Sequence, residues 1–326
     1  MSKSAFPGKD SLTIGFAHAA YRLGDEFIGR KTGIRHFEVR AFDDLKARLG
    51  EADVVVVSGL WRNELLDHAS RLRFIQSISA GVDQYARDQL QKRGIRLASA
   101  QGANERAVAE HAMALILALT RHIPSGRDNQ VRRHWRPMIS DLARREDELG
   151  GKTLLIVGLG RIGQRLAHLA KVFDMRVVGL RRDPSAGGGA ADAVHATGKL
   201  LALLPEADIV ALTCPLNAET ANIIDARALA AMKPSALLVN VARGRCVDED
   251  ALVAALGDRR LAAAALDCVR EEPLPGSSPL WAMENVLITP HTGGETRRYE
   301  TRVVDLLLDN LDRLWRGETT LKNQIV

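Results

Sequence analysis

The stretch TLLIVGLGRIGQRL, Thr153–Leu166, decides the fold of this 326-residue chain. A short apolar run enters a Gly-x-Gly-x-x-Gly sequence, and a helix-like pattern leaves it. In such a strand–turn–helix unit, Gly158 permits the tight turn, Gly160 lets a pyrophosphate approach the backbone, and Gly163 lets helix and strand pack closely. Amides at the helix start would face the phosphates. The stretch therefore predicts a dinucleotide site, with a bare tight turn as the alternative.

The residues beyond the glycines bear on which dinucleotide binds. An NAD site usually has an acidic residue about 20 residues further on, where it binds the ribose hydroxyls. This chain instead has Arg181 and Arg182 there, and a guanidinium would clamp a ribose 2′-phosphate. NADP(H) is therefore favoured, and NAD(H) stays possible through Asp183. Arg161 and Ile162, inside the glycine motif, are also expected to be cofactor-binding residues.

Alternating strand-like and helix-like segments run along the chain, which predicts an α/β fold with parallel sheets covered by helices on both faces. The length favours two domains. The predicted strands of the first series are 12–17, 37–41, 53–58, 74–78 and 95–98, with helical patterns such as 43–50 and 63–71 between them. The predicted strands of the second series are 154–157, 176–180, 209–213, 236–241, 262–266 and 286–288.

Three longer segments complete this organisation. One long helix is expected over 104–122. The basic segment 124–151 has no clear period and is predicted to be an irregular arm that packs on a second subunit, with a plain surface excursion as the alternative. The tail 295–315 is amphipathic and is expected to return to the first domain. Its apolar stripe consists of Val303, Leu306, Leu307, Leu311 and Leu314.

Composition and charge argue against several classes of protein. Hydrophobic residues make up 46% and charged residues 26%, as in globular proteins, and the longest apolar run, 112–119, is too short to cross a bilayer. The polar N-terminus lacks a signal sequence, so a cytoplasmic protein is expected. The net charge of +5 comes from scattered arginine pairs, so no nucleic-acid partner is expected. Cys214, Cys246 and Cys268 have no spacing typical of disulfide frameworks or metal sites.

Three polar residues of catalytic type follow strands of the second series. Ligands of open α/β sheets bind outside the carboxyl ends of the strands, where Arg243, Glu272 and His291 are expected. Ketone reduction places negative charge on oxygen, and histidine is suited to protonate it. A carboxylate would stabilise the imidazolium, and the arginine fork would bind a substrate carboxylate and polarise the adjacent carbonyl. Taken singly, His291 could instead be a structural histidine, Glu272 a turn cap and Arg243 a surface charge.

Seven segments, in order and spacing, resemble the D-isomer-specific 2-hydroxyacid dehydrogenase family. They are SISAGVD (77–83), NERAVAEHAMAL (104–115), VGLGRIG (157–163), TCPLNAET (213–220), VNVARGRCVDEDAL (239–252), AALDCVREEPLP (264–275) and TPHTGG (289–294). The resemblance covers nearly the whole chain.

The resemblance implies two doubly wound domains. A flavodoxin-like substrate domain would comprise residues 1–100 and 292–326, and a Rossmann dinucleotide-binding domain would comprise 101–291. The arm 124–151 would make a homodimer. In glyoxylate/hydroxypyruvate reductase relatives a tryptophan of the partner's arm reaches the active site, and Trp135 could do so here, with surface packing as the alternative.

The resemblance also implies residue roles. Arg243, Glu272 and His291 would be the catalytic residues, and the backbone amides of Ala80 and Gly81 would bind the substrate carboxylate. The cofactor cleft would be lined by Val108, Cys214, Pro215, Thr220, Val241 and Ala242, with Asp267 holding the nicotinamide carboxamide.

The expected function is reduction of a small 2-keto acid, such as glyoxylate or hydroxypyruvate, to the D-2-hydroxy acid. NAD-using family members carry an acid where this chain has Arg181, which moves the expectation toward the NADPH-preferring reductases. Formate dehydrogenases of the superfamily have glutamine at the position of Glu272, so formate is disfavoured. A non-catalytic dinucleotide sensor of the corepressor type and a phosphite-type dehydrogenase remain the alternatives.

Overall fold

Two parallel sheets organise the residues that the computed structural model describes, 6–326. Residues 1–5, the start of the polar N-terminus, lie outside the described residues. The chain divides into two units: the first runs to Asn104 and includes Glu295–Val326, and the second is Glu105–Gly294. The predicted α/β class, with two doubly wound parallel sheets, is confirmed.

The first unit contains a five-stranded sheet. Its strands are β1 Thr13–Ala17, β2 Arg35–Val39, β3 Val54–Val57, β4 Phe74–Ser77 and β5 Arg96–Ala98, in the order β2-β1-β3-β4-β5. The helices between them are α1 Leu23–Gly29, α2 Phe42–Arg48 and α3 Arg87–Arg93. All four valines of β3 are buried, as expected for a central strand covered on both faces. The predicted helix at 63–71 is a 3-10 helix, Asn63–His68.

The second unit contains a seven-stranded parallel sheet. Its strands are β6 Thr153–Val157, β7 Arg176–Arg181, β8 Ala193–Ala196, β9 Ile209–Leu212, β10 Leu237–Asn240, β11 Ala263–Leu266 and β12 Val286–Ile288, in the order β12-β11-β10-β9-β6-β7-β8. The helices are α4 Glu105–Thr120, α5 Ile123–Val131, α6 Arg161–Val172, α7 Leu200–Leu203, α8 Ala226–Ala231 and α9 Glu249–Gly257. Six strands were predicted, and β8 is the additional one. The strand order reverses between β6 and β9, where a doubly wound sheet opens a crevice for ligands.

The arm differs in part from its predicted irregular structure. Pro124 lies at the start of α5, where its fixed φ favours a helix and its missing amide costs nothing. Further along the arm, Leu142–Arg144 form a short 3-10 helix. Four large apolar side chains of the arm are strongly exposed in the single chain, namely Val131, Trp135, Met138 and Leu142, whereas Ile139 is half-buried and Leu149 is buried.

The C-terminal helix, α10 Tyr299–Trp315, belongs to the first unit, as predicted for the amphipathic tail. All five residues of the predicted stripe are buried. The Asn310 side chain donates to Oε1 of the buried Gln76 over 2.9 Å, which ties the helix to β4. The chain then returns to pair with β5, since the amide of Ile325 donates to the Leu97 carbonyl. Over residues 6–326, no helix has both the length and the apolar character needed to span a membrane.

Candidate active site

The glycine turn between β6 and α6 has the two backbone features that the sequence predicts. Gly158 has a φ of +102°, and a Cβ there would lie 2.5 Å from backbone atoms of Cys214. A Cβ on Gly163 would lie 2.6 Å from the Gly158 carbonyl oxygen and 3.0 Å from Oγ1 of Thr213. Side chains at these positions are therefore excluded by the turn and by the packing of α6 on the sheet.

The middle glycine has the opposite environment. A Cβ on Gly160 would meet no heavy atom within 4 Å, so open space lies beside this backbone position. Gly160 is also the N-cap of α6 and offers no side-chain hydrogen bond to its first turn. The backbone amides there are suited to bind an anion, since the first N–H groups of a helix have no partner within the helix.

The end of β7 carries the residues expected to select the dinucleotide. The Arg181 guanidinium donates to the carbonyl oxygens of Ala186 and Gly187. Oδ1 of Asp183 accepts from the amide and hydroxyl of Ser185, at 3.0 and 2.6 Å, and these hydrogen bonds lower the pKa of Asp183. Arg181 and Asp183 are thus both held by hydrogen bonds within this turn.

The three predicted catalytic residues follow three neighbouring strands. Arg243 comes after β10, Glu272 after β11 and His291 after β12, and these strands are adjacent in the sheet. Because parallel strands lie about 4.8 Å apart, their carboxyl ends bring the three loops together. The structure shows this directly for His291 and Glu272, whose Nδ1 and Oε2 atoms are 2.7 Å apart.

The Glu272 carboxylate is held in its charged form. Burial alone would raise the pKa of Glu272. The hydrogen bond and charge of His291 oppose that effect, together with the amide of Val269, which donates to Oε1 over 3.1 Å, and the charge of Arg243. The net result is a lowered pKa for Glu272. A carboxylate at this position fixes the imidazole so that Nδ1 faces Glu272 and Nε2 remains for a substrate.

Close packing fixes the loop that carries Arg243. The buried Asn240 side chain donates to the Arg243 carbonyl over 2.9 Å and accepts from the Ala242 amide at 3.0 Å. A Cβ on Gly244 would lie 1.9 Å from the Val269 carbonyl carbon. The backbone beside Arg243 therefore rests directly on the segment that leads to Glu272.

The loop that carries His291 is anchored by a buried carboxylate. Oδ1 of Asp267 accepts from Thr289 Oγ1 over 2.6 Å and from the Thr292 amide over 3.0 Å, and Oδ2 accepts from the Gly293 amide over 3.0 Å. Nε2 of His111, which belongs to α4, lies 2.9 Å from Thr289 Oγ1 and 3.2 Å from Asp267 Oδ1. Asp267 thus has a structural role beside the predicted contact with the cofactor.

Sequence reasoning missed the partners in this anchor. His111 follows Glu110 and directly precedes the apolar run 112–119 of α4, and this place at the border of the apolar run was the one available signal. Thr289 gives no such signal, because a threonine after a strand has many ordinary uses. His291 itself has a φ of +57°, an uncommon conformation for a residue with a side chain, which the surrounding hydrogen bonds must maintain.

The other predicted cofactor residues lie in two kinds of environment. Val108, Cys214, Val241 and Ala242 are buried in the second unit, whereas Arg161, Arg182 and Pro215 are exposed and Ile162 is half-buried. The Thr220 hydroxyl donates to the Pro215 carbonyl over 2.6 Å, so it braces its own turn.

The predicted substrate amides lie in the first unit, after β4. Ala80 and Gly81 are half-buried, and within 6–326 no acceptor is bonded to their N–H groups. The loop is held from behind by side chains: Oγ atoms of Ser58 and Ser79 are 2.5 Å apart, and Gln84 donates to Ser58 over 2.8 Å. The loop therefore presents amides that a carboxylate could use.

Comparison with known proteins identifies the family. A family model for the NAD-binding domain of the D-isomer specific 2-hydroxyacid dehydrogenases matches residues 113–293. The chain belongs to the D-isomer specific 2-hydroxyacid dehydrogenase family. The expected resemblance is thereby confirmed, and so is the class of enzyme, an NAD(P)-dependent 2-hydroxyacid dehydrogenase.

Individual relatives support the same assignment. The chain is 36% identical over 307 residues to a glyoxylate/hydroxypyruvate reductase B of Yersinia pestis, covering 90% of this chain and 91% of the relative. It is 34% identical over 281 residues to a D-3-phosphoglycerate dehydrogenase of Methanocaldococcus jannaschii, where the match covers 85% of this chain but only 52% of the relative. The chain therefore spans only about half the length of that relative, and the D-3-phosphoglycerate dehydrogenase activity is not assigned to it.

Solved structures agree with the fold. A Thermus thermophilus protein has a TM-score of 0.83 at 33% identity, covering 97% of this chain and 100% of that one. Two further structures, both at 25% identity and a TM-score of 0.83 and covering 97% of this chain, bind different dinucleotides. One, matched over its whole length, is an acyclic imino acid reductase with NADPH and D-Arg; the other, matched over 99%, is a formate dehydrogenase of Staphylococcus aureus with NAD. A nicotinamide dinucleotide is thus supported, and both forms occur among the neighbours.

Proposed function

We propose that this protein reduces small 2-keto acids, of the glyoxylate and hydroxypyruvate type, to D-2-hydroxy acids, with His291 as the proton donor. The observation that carries the proposal is the distance of 2.7 Å between His291 Nδ1 and Glu272 Oε2. The positive charge of Arg243 also acts on the Glu272 carboxylate. The reductase relative supports the substrate class. A small keto acid has one carboxylate and one carbonyl, which match one guanidinium and one proton donor.

The residues have separate tasks in this reaction. Bound NAD(P)H supplies a hydride. The Arg243 guanidinium binds the substrate carboxylate and polarises the neighbouring carbonyl. Nε2 of His291 protonates the oxygen as negative charge develops on it, while Glu272 stabilises the imidazolium through Nδ1. From the family resemblance we also propose substrate-binding roles for the backbone amides of Ala80 and Gly81.

The dinucleotide would be held by the glycine turn and the end of β7. Open space beside Gly160 leaves the start of α6 accessible to a pyrophosphate, while Gly158 and Gly163 form the tight turn and the close helix contact. Arg161 and Ile162 begin that helix. We propose NADPH as the preferred cofactor, because Arg181 stands where an acid would bind the ribose of NAD. Arg182, Pro215, Thr220 and the buried residues named above complete the proposed cleft.

We also propose the domain roles and a homodimer. Residues 1–100 and 292–326 would form the substrate domain, and 101–291 the dinucleotide domain with the arm 124–151. The exposed apolar side chains of that arm, with Trp135 96% and Met138 100% exposed, support burial against a second copy, since single chains rarely leave such groups in water. The proposed setting is the cytoplasm.

The test is oxidation of NADPH, followed by its near-ultraviolet absorbance, with a panel of keto acids. Glyoxylate and hydroxypyruvate are expected to be turned over, and His291→Asn is expected to lower kcat by roughly 10²–10⁴ with little change in NADPH binding. No turnover with any keto acid would overturn the reductase. Turnover that survives His291→Asn would overturn only the role of the histidine.

A further inference from the structure

One side chain beside the catalytic pair has no task in the proposed reaction. Cys268 follows β11 and is 2% exposed. Ligand atoms of Cys268, Glu272 and His291 all lie within 4.8 Å of one another. We propose that these three residues form a binding site for a borderline-soft divalent cation, Zn²⁺ above all, and that its occupation blocks the enzyme. The blocking effect rests on the proposed function, but the cation site does not.

The three ligands have the types and the arrangement of an open zinc site. A thiolate, an imidazole nitrogen and a carboxylate oxygen are the groups that bind Zn²⁺, and a site with three protein ligands leaves one position open. The Cys268 thiol is buried, whereas the side chains of Glu272 and His291 are 38% and 43% exposed. A cation can therefore enter from the exposed side and meet the sulfur last.

The ligand set also predicts selectivity. Mg²⁺ and Ca²⁺ prefer oxygen ligands in larger number, and sulfur favours softer ions. The surrounding charge is mixed: the carboxylates of Asp267 and Glu272 attract a cation, and the guanidinium of Arg243 opposes it. Because the Asp267 oxygens already accept several hydrogen bonds, we assign the direct contacts to the three residues alone.

Occupation would act on the reaction in a defined way. The thiol releases its proton to solvent, and the sulfur, one imidazole nitrogen and one Glu272 oxygen bind the cation without any redox change. The His291–Glu272 hydrogen bond at 2.7 Å must open for both to become ligands. His291 then no longer serves as a proton donor, so inhibition should be reversed when a chelator removes the ion.

The sequence does not suggest this site, because its ligands are separated along the chain and follow two different strands. Cys268 alone distinguishes it from the catalytic pair. Replacing this one side chain should therefore separate cation binding from catalysis. Cys246, another buried cysteine without a ligand role here, provides the matched control.

The experiment uses Co²⁺ and Zn²⁺ on the purified protein. Co²⁺ should give a thiolate-to-metal charge-transfer band at one equivalent, and Zn²⁺ should displace it. Zn²⁺, but not Mg²⁺, should inhibit keto acid reduction until EDTA is added. Cys268→Ser should lose the band and raise the inhibitory Zn²⁺ concentration by roughly tenfold or more, because even outer partners of metal ligands change affinity by about 10–100-fold. Cys246→Ser should behave as the unmodified protein does.

The outcomes are distinguishable. Absence of the charge-transfer band from the unmodified protein, or equal Zn²⁺ sensitivity of Cys268→Ser, overturns the site. If Cys268→Ser does not fold, Cys268→Ala replaces it, and the Co²⁺ spectrum of the unmodified protein still decides. A protein that shows the band but no keto acid reduction would retain the cation site and lose the proposed function.

Discussion

Replacement of Thr289 by valine tests whether the buried Asp267 carboxylate holds the loop of His291 in place. Thr289 Oγ1 donates to Asp267 over 2.6 Å and lies 2.9 Å from Nε2 of His111. Valine keeps the shape of the side chain and replaces only the hydroxyl, by a methyl group. A hydrogen bond to a charged group contributes about 1.5–3 kcal/mol, and Asp267 is only 3% exposed, so water replaces the lost bond poorly.

The size of the effect follows from this range. For a domain the size of Glu105–Gly294, each kcal/mol shifts Tm by about 2–4 °C, so a fall of roughly 3–12 °C is expected. The displaced proton donor should lower kcat more than it raises KM for the keto acid, because the lost alignment matters chiefly in the transition state.

Calorimetry and steady-state kinetics measure the two effects. Thr289→Ser keeps the hydroxyl and is the control; its Tm and kcat should stay close to those of the unmodified protein. Thr289→Val with unchanged Tm and kcat would refute the anchoring. A lowered Tm with unchanged kcat would show that the hydroxyl stabilises the unit without positioning His291.

Three further predictions address the backbone, the acid dependence and the cofactor. In a urea titration, Gly244→Ala should lower the free energy of unfolding by about 3 kcal/mol or more, because its Cβ would lie 1.9 Å from the Val269 carbonyl carbon. Gly257→Ala, with open space around it, is the control and should be near neutral. Burial tends to raise the pKa of Asp267, but hydrogen bonds from His111 and Thr289 lower it below 3.8. The contribution of the Asp267 carboxylate to folding stability is therefore complete above that pH and is lost as the pH falls through the folded-state pKa. Asp267→Asn should flatten the fall of Tm below about pH 4, and an unchanged slope would contradict this. Arg181→Asp should shift the ratio of kcat/KM from NADPH toward NADH, and an unaltered ratio would rule out the phosphate clamp.

The parts of the structure that the sequence could predict are those with a local physical cause. The glycine motif determines a turn and a close helix contact, and Gly158 and Gly163 show both. The apolar runs predicted six strands of the second sheet, but Ala193–Ala196 was missed because its residues are half-buried or exposed and form no apolar run. Pro124 could have indicated the start of α5, but Ser125, Gly126, Asp128 and Asn129 are weak helix formers and the helix has no buried apolar stripe.

The contacts of the site depend on the fold and could not be predicted from local patterns. Strand order places β10, β11 and β12 side by side, and the rule for carboxyl ends then predicts that the residues after them meet. It does not predict which atoms bond, because the Asp267 anchor combines a helix residue, His111, with Thr289 from a loop 178 positions further on. The same convergence brings Cys268 to the catalytic pair. Chemistry specific to this chain therefore arises where separate segments meet, and a residue without a family role, such as Cys268, has to be judged by its neighbours in space.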